Sequence, residues 1–104
     1  MFFMVTATYP PTKLGDVVKV FRKGLAEPLP SFLKRLHVLT ACGVGALGIK
    51  SYSIFKATEG KEHDALAELH RRMAWFYNIE GWRYHIEPLL AADEAIPLLG
   101  LKVS

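Results

Sequence analysis

His37 and His85 fall in segments composed like β-strands, and they are this chain's leading candidates for an acid/base pair. Imidazole is the side chain that titrates unperturbed near neutral pH. If Leu36, Val38, Ile54, Tyr84 and Ile86 point toward a helical layer, the two-residue period of a strand sends Arg35, His37, Leu39, Ser53, Phe55, Arg83, His85 and Glu87 to the opposite face. That set mixes aromatic and apolar surface with convergent polar groups, the composition of a small-ligand pocket. Arg35, Ser53, Phe55, Arg83 and Glu87 are therefore read as ligand-binding candidates. Glu87, two residues from His85 on the same face, can orient that imidazole; an ion pair with Arg83 explains it equally well. Trp82 belongs to the densest aromatic cluster, with Trp75, Phe76, Tyr77 and Tyr84, and offers a stacking surface for a planar ligand.

Other chemistries find less support. His63 and His70 are seven residues apart on a helical segment, about 10 Å along its axis, wider than the spacing of three or four that places two ligands on one metal. A haem needs an axial histidine in an apolar cavity, and nothing selects His70 or His85 for that role. Ser51 and Ser53 alternate around Tyr52 with no nucleophile elbow. Gly43, Gly45 and Gly48 precede a strand and not a helix, which argues against a phosphate-binding loop. No metal and no cofactor is expected.

These residues need a scaffold, and 104 residues provide one domain with one core. Counted with Gly and without Tyr, apolar residues make up about 55% of the chain, above the roughly 45–50% of typical soluble domains. A second buried surface is expected, and a homodimer supplies it most simply. The net charge of +3 comes from basic residues scattered singly or in pairs among acids, unlike the stripe of a nucleic-acid binder. The single Cys42 excludes an internal disulfide and reads as a small buried residue. Met1 to Tyr9 has no basic leader, and no apolar run approaches a membrane span, so the expectation is a cytoplasmic protein without a membrane partner.

Phe2 to Tyr9 is apolar in both phases, as a central strand must be. Pro10-Pro11 ends it, Thr12 is placed to cap a helix, and Leu14, Val17, Val18, Phe21 and Leu25 follow at helical spacing until Gly24 and Pro28. Leu33 to Ala41 and Ile49 to Lys56 read as strands joined by the glycine-rich turn. Glu59 to Tyr77 reads as a helix with Leu66, Leu69, Met73, Phe76 and Tyr77 on its apolar stripe and Arg71 and Arg72 off it. Trp82 to Leu89 alternates as a half-buried strand. Ala91 to Leu99 makes a short helical turn capped by Asp93 and cut by Pro97, and the apolar Leu98, Leu99, Leu101 and Val103 are expected to pack on this chain or across a dimer.

The β-α-β-β-α-β order predicts an α+β, ferredoxin-like sandwich: an antiparallel four-stranded sheet with helices on one face. With its other face uncovered, the pattern resembles the dimeric α/β-barrel superfamily, in which two such sheets pack together. Met1-Phe2-Phe3-Met4-Val5 and Tyr84-His85-Ile86-Glu87-Pro88-Leu89-Leu90, followed by Ala91-Ala92-Asp93-Glu94-Ala95, resemble the ends of a small bacterial family of that superfamily with no assigned activity. The resemblance implies a homodimer. The mixed face leads to an expected small, partly apolar or aromatic ligand in a sheet-lined cavity. The alternatives are a cofactor-independent monooxygenase or isomerase with His37 or His85 as base, and an interaction dimer without ligand.

Overall fold

β1 (Phe2–Tyr9), apolar in both phases, lies inside the sheet with a neighbour on each edge. It runs antiparallel to β3 (Gly48–Ala57) and to β4 (Arg83–Leu89), and β2 (Leu33–Gly45) completes an open four-stranded sheet in the order β2-β3-β1-β4. The computed structural model describes residues 1–45 and 48–100. The tip of the glycine-rich turn and the packing expected of Leu101 and Val103 lie outside the described residues, whereas Leu98 and Leu99, expected to pack with them, are each 74% exposed within this chain. The helices are α1 (Leu14–Leu25), α2 (Glu62–Met73) and α3 (Ala92–Leu98). This α+β arrangement, an open antiparallel sheet with helices, is consistent with a ferredoxin-like fold. None of these helices is long and apolar enough to cross a membrane.

Register decides which face is covered. Phe3, Val5 and Tyr9 of β1 stand opposite Phe55, Ser53 and Ile49 of β3, and all but Ser53 are buried. Ala65 and Leu69 of α2, both 0% exposed, close over Phe3, Val5, Leu33, Phe55 and Ala57. A second cluster joins Val17 of α1 to Tyr9, Ile49 and Phe76. Burying a side chain the size of Leu69 or Phe55 stabilises the fold by about 1.5–3 kcal/mol.

The covered face corrects the strand phase expected from sequence. Ser53 and Phe55 point to the helices, and Ile54 shares the open face with Lys50, Tyr52 and Lys56. On β2 a bulge between Arg35 and His37 inserts an extra residue, so Arg35 pairs with Phe55 on the covered side while His37 pairs with Ile54 on the open side. On β4 the expected alternation holds: Tyr84 and Ile86 face the helices, and Arg83, His85 and Glu87 face away.

Several local expectations also shift. Thr12 does not cap α1, because Pro11–Lys13 forms a 3-10 turn that leads into it, with Pro10 at the cap position. α2 passes at Ala74–Phe76 into another 3-10 turn, and Tyr77, expected on the apolar stripe, emerges 64% exposed. Arg72, expected off that stripe, is 5% exposed. Cys42 is exposed on the β2–β3 hairpin. Asp93 lies in the first turn of α3, whose cap residue is Ala91.

Candidate functional site

Between α1, the start of the second 3-10 turn and the covered face of the sheet lies a cavity of about 240 Å³. It arises because α2 lies tight on the sheet through Ala65 and Leu69, whereas α1 buries only Val17 and leaves Leu14 44% and Leu25 53% exposed. The wall is mostly hydrocarbon, with Val5, Val17, Phe21, Phe55, Phe76 and Trp75 among its members. A dry cavity of about 150 Å³ holds benzene, so this volume suits a substituted ring or a body of similar size.

Polar groups enter this wall at few places. The hydroxyls of Thr40, Ser51 and Ser53 come from β2 and β3, Thr40 Oγ1 lying 3.5 Å from Ser51 Oγ. Two guanidinium groups complete the set, and they differ in their partners. Arg72 reaches across to the end of α1 and donates to the carbonyls of Gly24 at 3.4 Å, Glu27 at 3.1 Å and Pro28 at 2.8 Å. It thereby ties α2 to the C-terminal end of α1, where the carbonyls of Glu27 and Pro28 lie beyond the helix and that of Gly24 also accepts from the Glu27 amide. Glu68, whose side chain is 10% exposed, lies 3.5 Å from its Nε and also bonds Arg71, which holds the Glu68 carboxyl below the usual carboxylate range.

Arg35 has no such support. Its Cζ lies 5.7 Å from the ring centroid of Phe21 and 5.3 Å from that of Phe55. Its Nε, like that of Arg72, is buried without a hydrogen-bond partner, but unlike Arg72 it joins no ion pair among the described residues. Burial, and then the like charge of Arg72, lower its pKa from the ordinary arginine value.

The end of the cavity depends on Gly24. A Cβ there would lie 2.8 Å from Cζ3 of Trp75, so only a bare backbone lets the indole close against α1. Trp82, just before β4, stacks on Phe76 with centroids 4.9 Å apart and planes 12° apart, and it also lines the cavity.

The sequence-derived candidates thus divide between two faces. Arg35, Ser53, Phe55 and Trp82 line the covered cavity. Arg83, His85 and Glu87 line a wider hollow of about 410 Å³ on the open face, with Thr6, Lys50 and Tyr52. His85 is 70% exposed, its Nε2 3.6 Å from Glu87 Oε1. His37 is exposed on β2, at the other edge of the sheet. Three strand spacings, about 14 Å, separate β2 from β4, so the two imidazoles do not form an acid/base pair within one chain. A third arrangement was not expected: Tyr84 Oη lies 2.8 Å from His70 Nδ1 and 3.3 Å from Tyr77 Oη, and the bond to Tyr77, aided by burial, pushes the Tyr84 phenol up to about 12. Neither a family model nor a curated protein matches this sequence.

Proposed function

We propose that this protein is a homodimeric small-molecule binder of the ferredoxin-like, dimeric α/β-barrel type, taking a compact and largely apolar ligand into the cleft between α1 and the sheet. The observation that carries this reading is the 240 Å³ cavity itself, walled by valine and aromatic side chains and touched by a few polar groups on two strands. Such a wall excludes water from an apolar body and orients it through the polar contacts. The cleft sits under α1, the helix with less of its surface packed, so that helix can move to admit a ligand without breaking the α2–sheet core.

Three whole-molecule quantities favour a second copy. The accessible surface is 7089 Å², against about 5,900 Å² for a compact monomer of 11.7 kDa. The radius of gyration is 15.5 Å, against about 13 Å for a compact chain of this length. The molecule measures 48 × 32 × 17 Å, as thin as one sheet with one helical layer. The surplus of about 1,200 Å² exceeds the roughly 800 Å² that each partner buries in a standard interface.

The ligand reading is tested by calorimetric titration with 2-naphthamide, a neutral ring system of about 13 non-hydrogen atoms, for which ordinary ligand efficiency sets a Kd on the order of 100 μM. The Ser53→Phe variant, which fills the cavity, is expected to lose most of that affinity while remaining folded by circular dichroism. Absence of binding to the wild type, or binding undiminished by the filling, overturns the proposal.

A further inference from the structure

We infer that the ligand of the α1–sheet cavity carries a single carboxylate that pairs with Arg35, making the protein a receptor for a small aromatic or branched apolar acid; this rests on the cavity being the binding site. Arg35 lies over the faces of Phe21 and Phe55, and these aromatic contacts attract its charge without neutralising it. Its buried Nε lacks a partner, and among the described residues no carboxylate stands within ion-pairing distance. The other arginine on the wall already has carbonyl and Glu68 partners. One cation without a carboxylate partner therefore faces a mostly apolar space.

The geometry selects among anions. A guanidinium presents planar paired donors that match a carboxylate bidentately, and the low polarity of the surroundings strengthens each such bond. The hydroxyls of Ser53 and Ser51 supply further donors on the neighbouring strand. A dianionic phosphate fits poorly: its second charge would be desolvated in a mostly apolar wall, the terminal nitrogens of Arg72 being already bonded to carbonyls at the end of α1. The apolar remainder of the acid would lie along Val17, Phe55 and Phe76.

The experiment compares 2-naphthoate with 2-naphthamide in the full chain and in the Arg35→Met and Arg35→Lys variants, by calorimetry at neutral pH. The wild type is expected to bind the carboxylate about tenfold or more tighter than the amide. Arg35→Met is expected to bind the carboxylate no tighter than the amide, and Arg35→Lys to recover part of the preference. If the amide binds and the carboxylate is no tighter, or if the preference survives in Arg35→Met, the carboxylate inference falls and the cavity reading stands. If neither probe binds, both fall. Circular dichroism and a cooperative urea transition show that each variant retains its fold.

Discussion

Arg35 and Phe55 are cross-strand partners on the covered face of the sheet, and the guanidinium carbon of the first lies 5.3 Å from the ring centroid of the second. A cation is thus placed against an apolar cavity without a carboxylate to balance it, at a position that a strand bulge turns inward.

Such a placement costs stability. Leaving a buried donor unsatisfied costs about 1–3 kcal/mol, whereas the aromatic contacts return about 0.5–1 kcal/mol each at partly exposed sites. Arg35→Met keeps an unbranched apolar side chain and removes the charge. It is expected to raise the unfolding free energy by about 1 kcal/mol in urea denaturation. A loss of stability would mean that Arg35 has a native partner after all.

Arg72 has the opposite role. Arg72→Met removes three hydrogen bonds to carbonyls of residues 24, 27 and 28 and leaves Glu68 without one of its two cationic neighbours. The expected loss is about 3 kcal/mol, with the amides at the end of α1 exchanging faster in a hydrogen-exchange experiment. Unchanged protection there would show that the helix end is held by other contacts.

The phenol pair sets an alkaline limit. In the folded protein Tyr84 ionises at about 12, raised chiefly by its bond to Tyr77, against an ordinary value of about 10. Because the folded form binds this proton more tightly, its contribution to stability is complete below pH 10 and is lost as pH rises toward 12. Tyr77→Phe is expected to bring the Tyr84 titration down toward 10, read by ultraviolet absorbance and by chemical shift. A titration that stays near 12 in the variant would assign the shift to burial or to His70.

The open face makes the proposed dimer sensitive to salt. Lys34, Lys50, Lys56 and Arg83 stand there against Glu87, with Lys50 and Lys56 lying 5.5 Å and 5.9 Å from the ring centroids of Tyr52 and Phe2. Two copies of this face bring like charges together, and screening relieves that repulsion. Sedimentation at micromolar concentration is expected to show a dimer that tightens between low and 0.5 M salt. A monomer at both ionic strengths contradicts the paired-sheet arrangement.

The strand and helix order was legible because hydrophobic periodicity and prolines mark it: β1 by its two apolar phases, α2 by Leu69 and its neighbours. The face of each strand was harder to read. In β3 the sets Ile49, Ser51, Ser53, Phe55, Ala57 and Lys50, Tyr52, Ile54, Lys56 both contain apolar residues, and the two lysines are the signal that assigns the second set to the open side. Arg35 was beyond such reasoning, since a bulge at Leu36 leaves no mark in an alternation of Arg, Leu, His and Val. The burial of Arg72 and the gap beneath α1 depend on how two helices meet, which periodicity within one helix does not encode.

The central claim is that the cleft between α1 and the sheet is the binding site, and nuclear Overhauser contacts from the ring protons of 2-naphthoate to the full chain test it most directly. The expected contacts are to the side chains of Val17 and Phe55. Contacts to Met4 and Tyr52 on the open face, or none to any side chain at saturating probe, would contradict it.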